Sequence, residues 1–147
     1  MTGHPFQLEL ARCSALDVEP FSAEIALGGE WSLYNLAEFI LKTVGFRCDH
    51  SFEFCDNLKN PFRSKERYSL FADMGEEDDP NDLGVHNTPV STVFHPRTKM
   101  LFMFDYGDDW RFLITCTAVK ESPAKRRFKK VLSTTGTPPE QYPEPEE

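Results

Sequence analysis

The sequence predicts a single mixed domain, with several strands accompanying one principal helix and an acidic hairpin near its end. Three observations predict it. The chain of 147 residues is long enough for one core and too short for two ordinary domains. Segments such as FQLELARC, KMLFMF and WRFLITCTAV have the composition and period of strands. From Trp31 onward, apolar residues recur at spacings of three and four, the period of an amphipathic helix. A content of 39% hydrophobic and 13% aromatic residues, with 13 Phe, suits a core built on large rings.

Taken in order, Phe6, Leu8 and Leu10 alternate with Gln7 and Glu9, so the first segment is a half-buried strand. Phe21 to Leu27 reads as its antiparallel neighbour, ended by Gly28 and Gly29. The helix follows. Leu33, Leu36, Ala37, Ile40, Leu41 and Val44 make one face apolar throughout. Ser32 can cap its first turn, Trp31 and Leu36 can staple across it, and Gly45 can supply a left-handed stop.

DHSFEF resumes strand alternation, which places His50, Phe52 and Phe54 on one face and Ser51, Glu53 and Cys55 on the other. A polar connection, DNLKNPFRSKE, leads to a strand over residues 67–72. DMGEEDDPND, dense in carboxylates and turn formers and without apolar periodicity, reads as a surface loop, and its carboxylates do not fill the ligand positions of a calcium-binding EF-hand. Thr88 can cap a short helical turn through PVSTVF, with Pro89 at its first position. KMLFMF and WRFLITCTAV are the strongest strand signals, and DYGDD joins them as a hairpin. Residues 1–132 are read as the domain and 133–147 as a proline-rich acidic tail, docked or disordered.

The formal net charge of −8 disfavours nucleic-acid binding over most of the surface. Lys125, Arg126, Arg127, Lys129 and Lys130 form a candidate basic patch whose ordinary reading is a solvated strand end. Four cysteines form no CxxC pair, the start lacks a signal-peptide profile, and no apolar run reaches membrane-spanning length. A cytoplasmic protein with packed thiols is therefore expected, with no membrane partner. Cys48, His50 and Cys55 are zinc-ligand types, but their spacing matches no common zinc pattern.

The hairpin FDYGDDW carries the sharpest functional signal. A structural reading accounts for Gly107 by positive φ in a tight turn and for Trp110 by burial of its ring. Asp105, Asp108 and Asp109 are a surplus, since three close carboxylates need a cation, an arginine or a raised pKa to relieve their repulsion. Together with His50 they are the candidate site for a divalent ion, Mg²⁺ or Mn²⁺, or for recognition of a partner. No glycine-rich phosphate loop, nucleophile triad or HExxH motif accompanies them.

The stretches WSLYNLAEFILKTVGFRCDHSFEF, FDYGDDWRFLITC and RFKKVLSTTGTPPEQYP together resemble the plasmid pRiA4b ORF-3-like family, over about Gln7 to Pro143. Members show a Ser- or Thr-led helix, a following Asp-His segment, a Gly-Asp-x-Trp hairpin and a closing Gly-x-x-Pro-Pro-x-x-Tyr. The matching positions are Ser32 and Leu33, Gly45 and Phe46, His50, then Asp105, Gly107, Asp108, Asp109 and Trp110, and finally Gly136, Pro138, Pro139 and Tyr142. The family's Trp-Arg in the second strand is missing, and its second histidine is Phe52 here. The resemblance implies an α+β fold in which a mainly antiparallel sheet packs against the long helix, plus an origin on plasmids or mobile elements. It implies no established activity or cofactor.

The function expected is a binding or interaction module engaging a protein or basic peptide. The alternatives are a metal-dependent enzyme using the Asp cluster, and a mobile-element accessory touching DNA through the basic run.

Overall fold

The computed structural model describes residues 5–12, 21–59, 61–70, 83–105, 110–119 and 129–138, with the backbone alone for 5–12 and for Phe62. One eight-stranded sheet organises the chain. Its strands are β1 (Pro5–Arg12), β2 (Ser22–Gly28), β3 (Phe52–Cys55), β4 (Arg67–Ser69), β5 (Leu83–Gly84), β6 (Lys99–Phe104), β7 (Trp110–Val119) and β8 (Lys129–Thr135). They lie in the order β5-β4-β3-β6-β7-β1-β2-β8. Every adjacent pair is antiparallel except β4 with β5.

The principal helix, α1 (Leu33–Val44), spans 12 residues, which is average rather than long. Ser32 caps it as expected. Its hydroxyl accepts the Asn35 N–H at 3.1 Å, and the Asn35 side chain returns the bond to the Ser32 N–H at 3.2 Å. Gly45 closes the helix at φ 91°, donating its N–H to the Leu41 and Lys42 carbonyls.

The buried residues of α1 meet alternating side chains of β2, β3, β6 and β7, and the rings of Phe52, Phe54, Phe102, Phe104 and Phe112 join that core. Phe54 and Phe102 stack at 4.8 Å between ring centres, and Phe102 and Phe112 at 5.9 Å. KMLFMF is apolar on both faces because both are buried: Leu101 and Met103 form a second, smaller cluster with Cys55 on the far side of the sheet.

Three local readings change. β3 begins at Phe52, so His50 lies in a bend ahead of the strand and not on the face of Phe52 and Phe54. β4 stops at Ser69, and residues 71–72 lie outside those described. The short helix α2 (Val90–Val93) has Pro89 at its cap, and Thr88 instead gives its hydroxyl hydrogen to the Gly84 carbonyl at 2.6 Å. β8 runs to Thr135 along the edge of the sheet beside β2. An exposed edge strand is held by backbone pairing with one neighbour and needs no buried side chains, so it lacks the alternation that marks a strand in sequence.

Candidate functional site

The acidic hairpin forms on the predicted strands: β6 and β7 pair from Lys99↔Thr115 to Phe104↔Trp110. Its tip, residues 106–109, lies outside the described residues, and with it Gly107, Asp108 and Asp109. Its root, residues 104–105 and 110, lies within them. Asp105 leaves β6 at φ 61°, a left-handed conformation uncommon for a side-chain-bearing residue. Its N–H donates to the Ser51 carbonyl at 3.0 Å, tying the hairpin to the segment entering β3.

The floor of the site follows from the end of α1. The turn at Gly45 delivers Phe46 to the core, with its N–H on the Leu41 carbonyl at 2.7 Å. The Phe46 ring meets Trp110 edge-on at 4.8 Å and lies 6.4 Å from Phe104. Trp110 is buried, as expected, and the hairpin root rests on three packed rings.

On this floor the Asp105 carboxylate is buried, with Oδ2 3.4 Å from His50 Nε2. Asp49 Oδ1 lies 3.6 Å from the same nitrogen. The His50 side chain is 44% exposed, so the imidazole joins the buried Asp105 carboxylate to the solvent-facing surface. Its ring approaches Phe104 edge-on at 6.1 Å. Beside them the Ser51 hydroxyl oxygen is buried with no hydrogen-bond partner among the described residues. A buried hydroxyl ordinarily finds one.

His50 and Asp105 are thus brought together from the predicted set. Asp49 and Ser51, which flank His50 in DHS, were missed, because a strand reading of that segment turns Ser51 to the opposite face. Cys48 is exposed while Cys55 is buried, its thiol directed to the Leu101 carbonyl at 3.8 Å. Among the described residues no three His, Cys, Asp or Glu side chains gather as a metal site. Two aspartates of the cluster lie outside that set.

Of the basic run, Lys125, Arg126 and Arg127 lie outside the described residues. Lys129 Nζ sits 5.1 Å from the centre of the Trp31 ring and 5.7 Å from that of Phe39, a cation–π arrangement linking β8 to the helix. Lys130 is exposed on the same strand.

An antiparallel-rich sheet with a capped helix on one face, and an aspartate held under a histidine at a hairpin root, define an α+β protein with a polar corner site. The family model for the plasmid pRiA4b ORF-3-like protein matches residues 18–144, and the chain belongs to that family. Comparison with curated proteins finds no match. Among solved structures, the chain is similar to the crystal structure of a protein of unknown function from Methanosarcina mazei Go1. The TM-score is 0.67 at 15% identity, over 88% of this chain and 70% of the other. That likeness concerns the fold alone. Among the described residues no helix is long and apolar enough to cross a membrane.

Proposed function

We propose that this chain is a binding module of plasmid or mobile-element origin rather than an enzyme, and that it recognises a basic segment of a protein or peptide at the root of the acidic hairpin. The reading rests on one observation: Asp105 is held buried at φ 61°, 3.4 Å from a half-exposed His50 and beside Asp49. Backbone strain that persists beside an ionic cluster is characteristic of sites where a side chain must be held in place. A guanidinium or ammonium group can displace the imidazole and take up the same carboxylates, while the net charge of −8 steers it there.

Calorimetric titration with an arginine-rich peptide tests the reading. Saturable binding is expected, weakened about tenfold in Asp105→Asn, the effect of losing one charged hydrogen-bond acceptor. Binding unchanged in that variant would move the recognition surface elsewhere. The convergence of His50 with Asp105 also favours a second reading, a metal-dependent enzyme using Mg²⁺ or Mn²⁺ with Asp108 and Asp109 as further ligands. Saturable binding of either ion, abolished in His50→Ala and Asp105→Asn, would replace the first reading.

A further inference from the structure

The connection between β3 and β4 carries a charge opposite to that of the hairpin. Its residues fold into an open cup of about 270 Å³, lined by Asp56, Asn57, Leu58, Lys59, Arg63 and Lys65. β3 is four residues long, ~13 Å at ~3.3 Å per residue, and the cup lies beyond the opposite end of that strand from His50.

The cup is held by its own hydrogen bonds. Asp56 Oδ1 accepts the Lys65 N–H at 2.9 Å, the Asn57 N–H donates to the Ser64 hydroxyl at 3.1 Å, and Asn57 Oδ1 accepts the Lys59 N–H at 3.2 Å. The 3-10 turn Pro61–Arg63 supplies Arg63 to the lining. Arg67 fastens that turn by donating to the Pro61 carbonyl at 2.8 Å, and its own charge is met by Glu53 at 3.1 Å.

The lining therefore has a surplus. Three cations stand against one carboxylate, a net charge of +2 in a chain of −8. That carboxylate is occupied by a backbone N–H. Among the described residues no carboxylate lies in ion-pair range of Lys59, Arg63 or Lys65. Leu58, 37% exposed, adds an apolar rim. The volume falls just below the ~300 Å³ at which ligand pockets begin, which suits a small group carrying concentrated negative charge.

We infer that this cup is an anion site for a small phosphorylated ligand, with Arg63 gripping the phosphoryl oxygens through its planar fork and Lys59 and Lys65 as flanking point charges. Leu58 would meet the organic part of a phosphate ester. The preformed hydrogen bonds reduce the ordering cost of binding.

The test is calorimetry with pyrophosphate on the full chain at constant ionic strength. One saturable site is expected, with a dissociation constant on the order of 1 mM for exposed charges. Arg63→Gln and Lys65→Gln should each weaken it about tenfold, as expected when one charged hydrogen bond is removed. Lys42→Gln, which removes an exposed charge at the end of α1, should leave it unchanged. The substituted side chains at 63 and 65 are exposed, so far-ultraviolet circular dichroism of those variants should match the parent. Absence of saturation at 20-fold the expected constant would overturn the proposal, as would equal weakening by Lys42→Gln. Preferential binding of duplex DNA at the same residues would also overturn it, replacing a small ligand with a nucleic-acid backbone. Because the proposal is independent of Asp105, the Asp105→Asn variant should bind pyrophosphate as the parent does.

Discussion

Raising the pH from 9 to 11 should destabilise this protein through two buried thiols. Cys55 packs with Leu101 and Met103 on one face of the sheet, and Cys116 lies in the main core on the other; both are fully buried. Burial pushes each thiol up from 9.0 to about 11, because the thiolate would lose its hydration there. The folded state therefore retains protons that the unfolded chain releases near pH 9. The associated stability is present in full below pH 9 and lost as pH rises through about 11. A two-unit difference corresponds to about 3 kcal/mol per thiol, a large part of the ~5–15 kcal/mol that keeps a domain folded.

Urea unfolding at intervals from pH 8 to 11 measures the loss. Cys55→Ala and Cys116→Ala should each be less stable than the parent at pH 8, by about 1–2 kcal/mol for a small core truncation. Each should also lose stability with pH less steeply than the parent, and the double variant should keep only the smaller slope left by Cys48, whose thiol burial also pushes up. An undiminished slope in the double variant would refute the argument and assign the alkaline loss to other groups. Tyr68, pushed up to about 12 chiefly by its burial, adds a separate loss above pH 10.

Two further outcomes bear on backbone geometry. At Gly45 an added Cβ would meet nothing within 4 Å, so the cost of Gly45→Ala is that of φ 91° alone, about 1–2 kcal/mol, read as a lower urea midpoint with unchanged m-value. Asp105→Ala keeps the strain at φ 61° while Asp105→Gly relieves it, so the alanine variant should be less stable by about 1 kcal/mol in thermal unfolding, and an equally stable alanine would show that the angle is not costly.

Helix α1 was legible in outline and in both caps, because capping and amphipathic spacing are local properties that Ser32, Gly45 and the intervening leucines carry by themselves. β6 and β7 were legible for the same reason, their apolar runs being too long and too β-branched or aromatic for exposed chain. β8 was not. Lys129 and Lys130 read as solvated charge, and only the open edge of β2 makes them part of a strand. The β3–β4 connection likewise read as a polar link, although Lys59, Arg63 and Lys65 were visible in it; what sequence cannot express is that Asp56 turns inward onto a backbone N–H and leaves them unbalanced.

The family, the hairpin and the candidacy of His50 and Asp105 were determined by sequence, since each is a matter of residue type at short spacing. The juxtaposition of those two side chains was decided by tertiary structure. They are separated by 55 positions, and they meet because β3 pairs with β6 in a register that sets Phe52 against Phe104, with the Asp105 N–H fixed to Ser51 just beyond it. That register is a property of the whole sheet, set by which faces of Phe52, Phe54, Phe102 and Phe104 must be buried together.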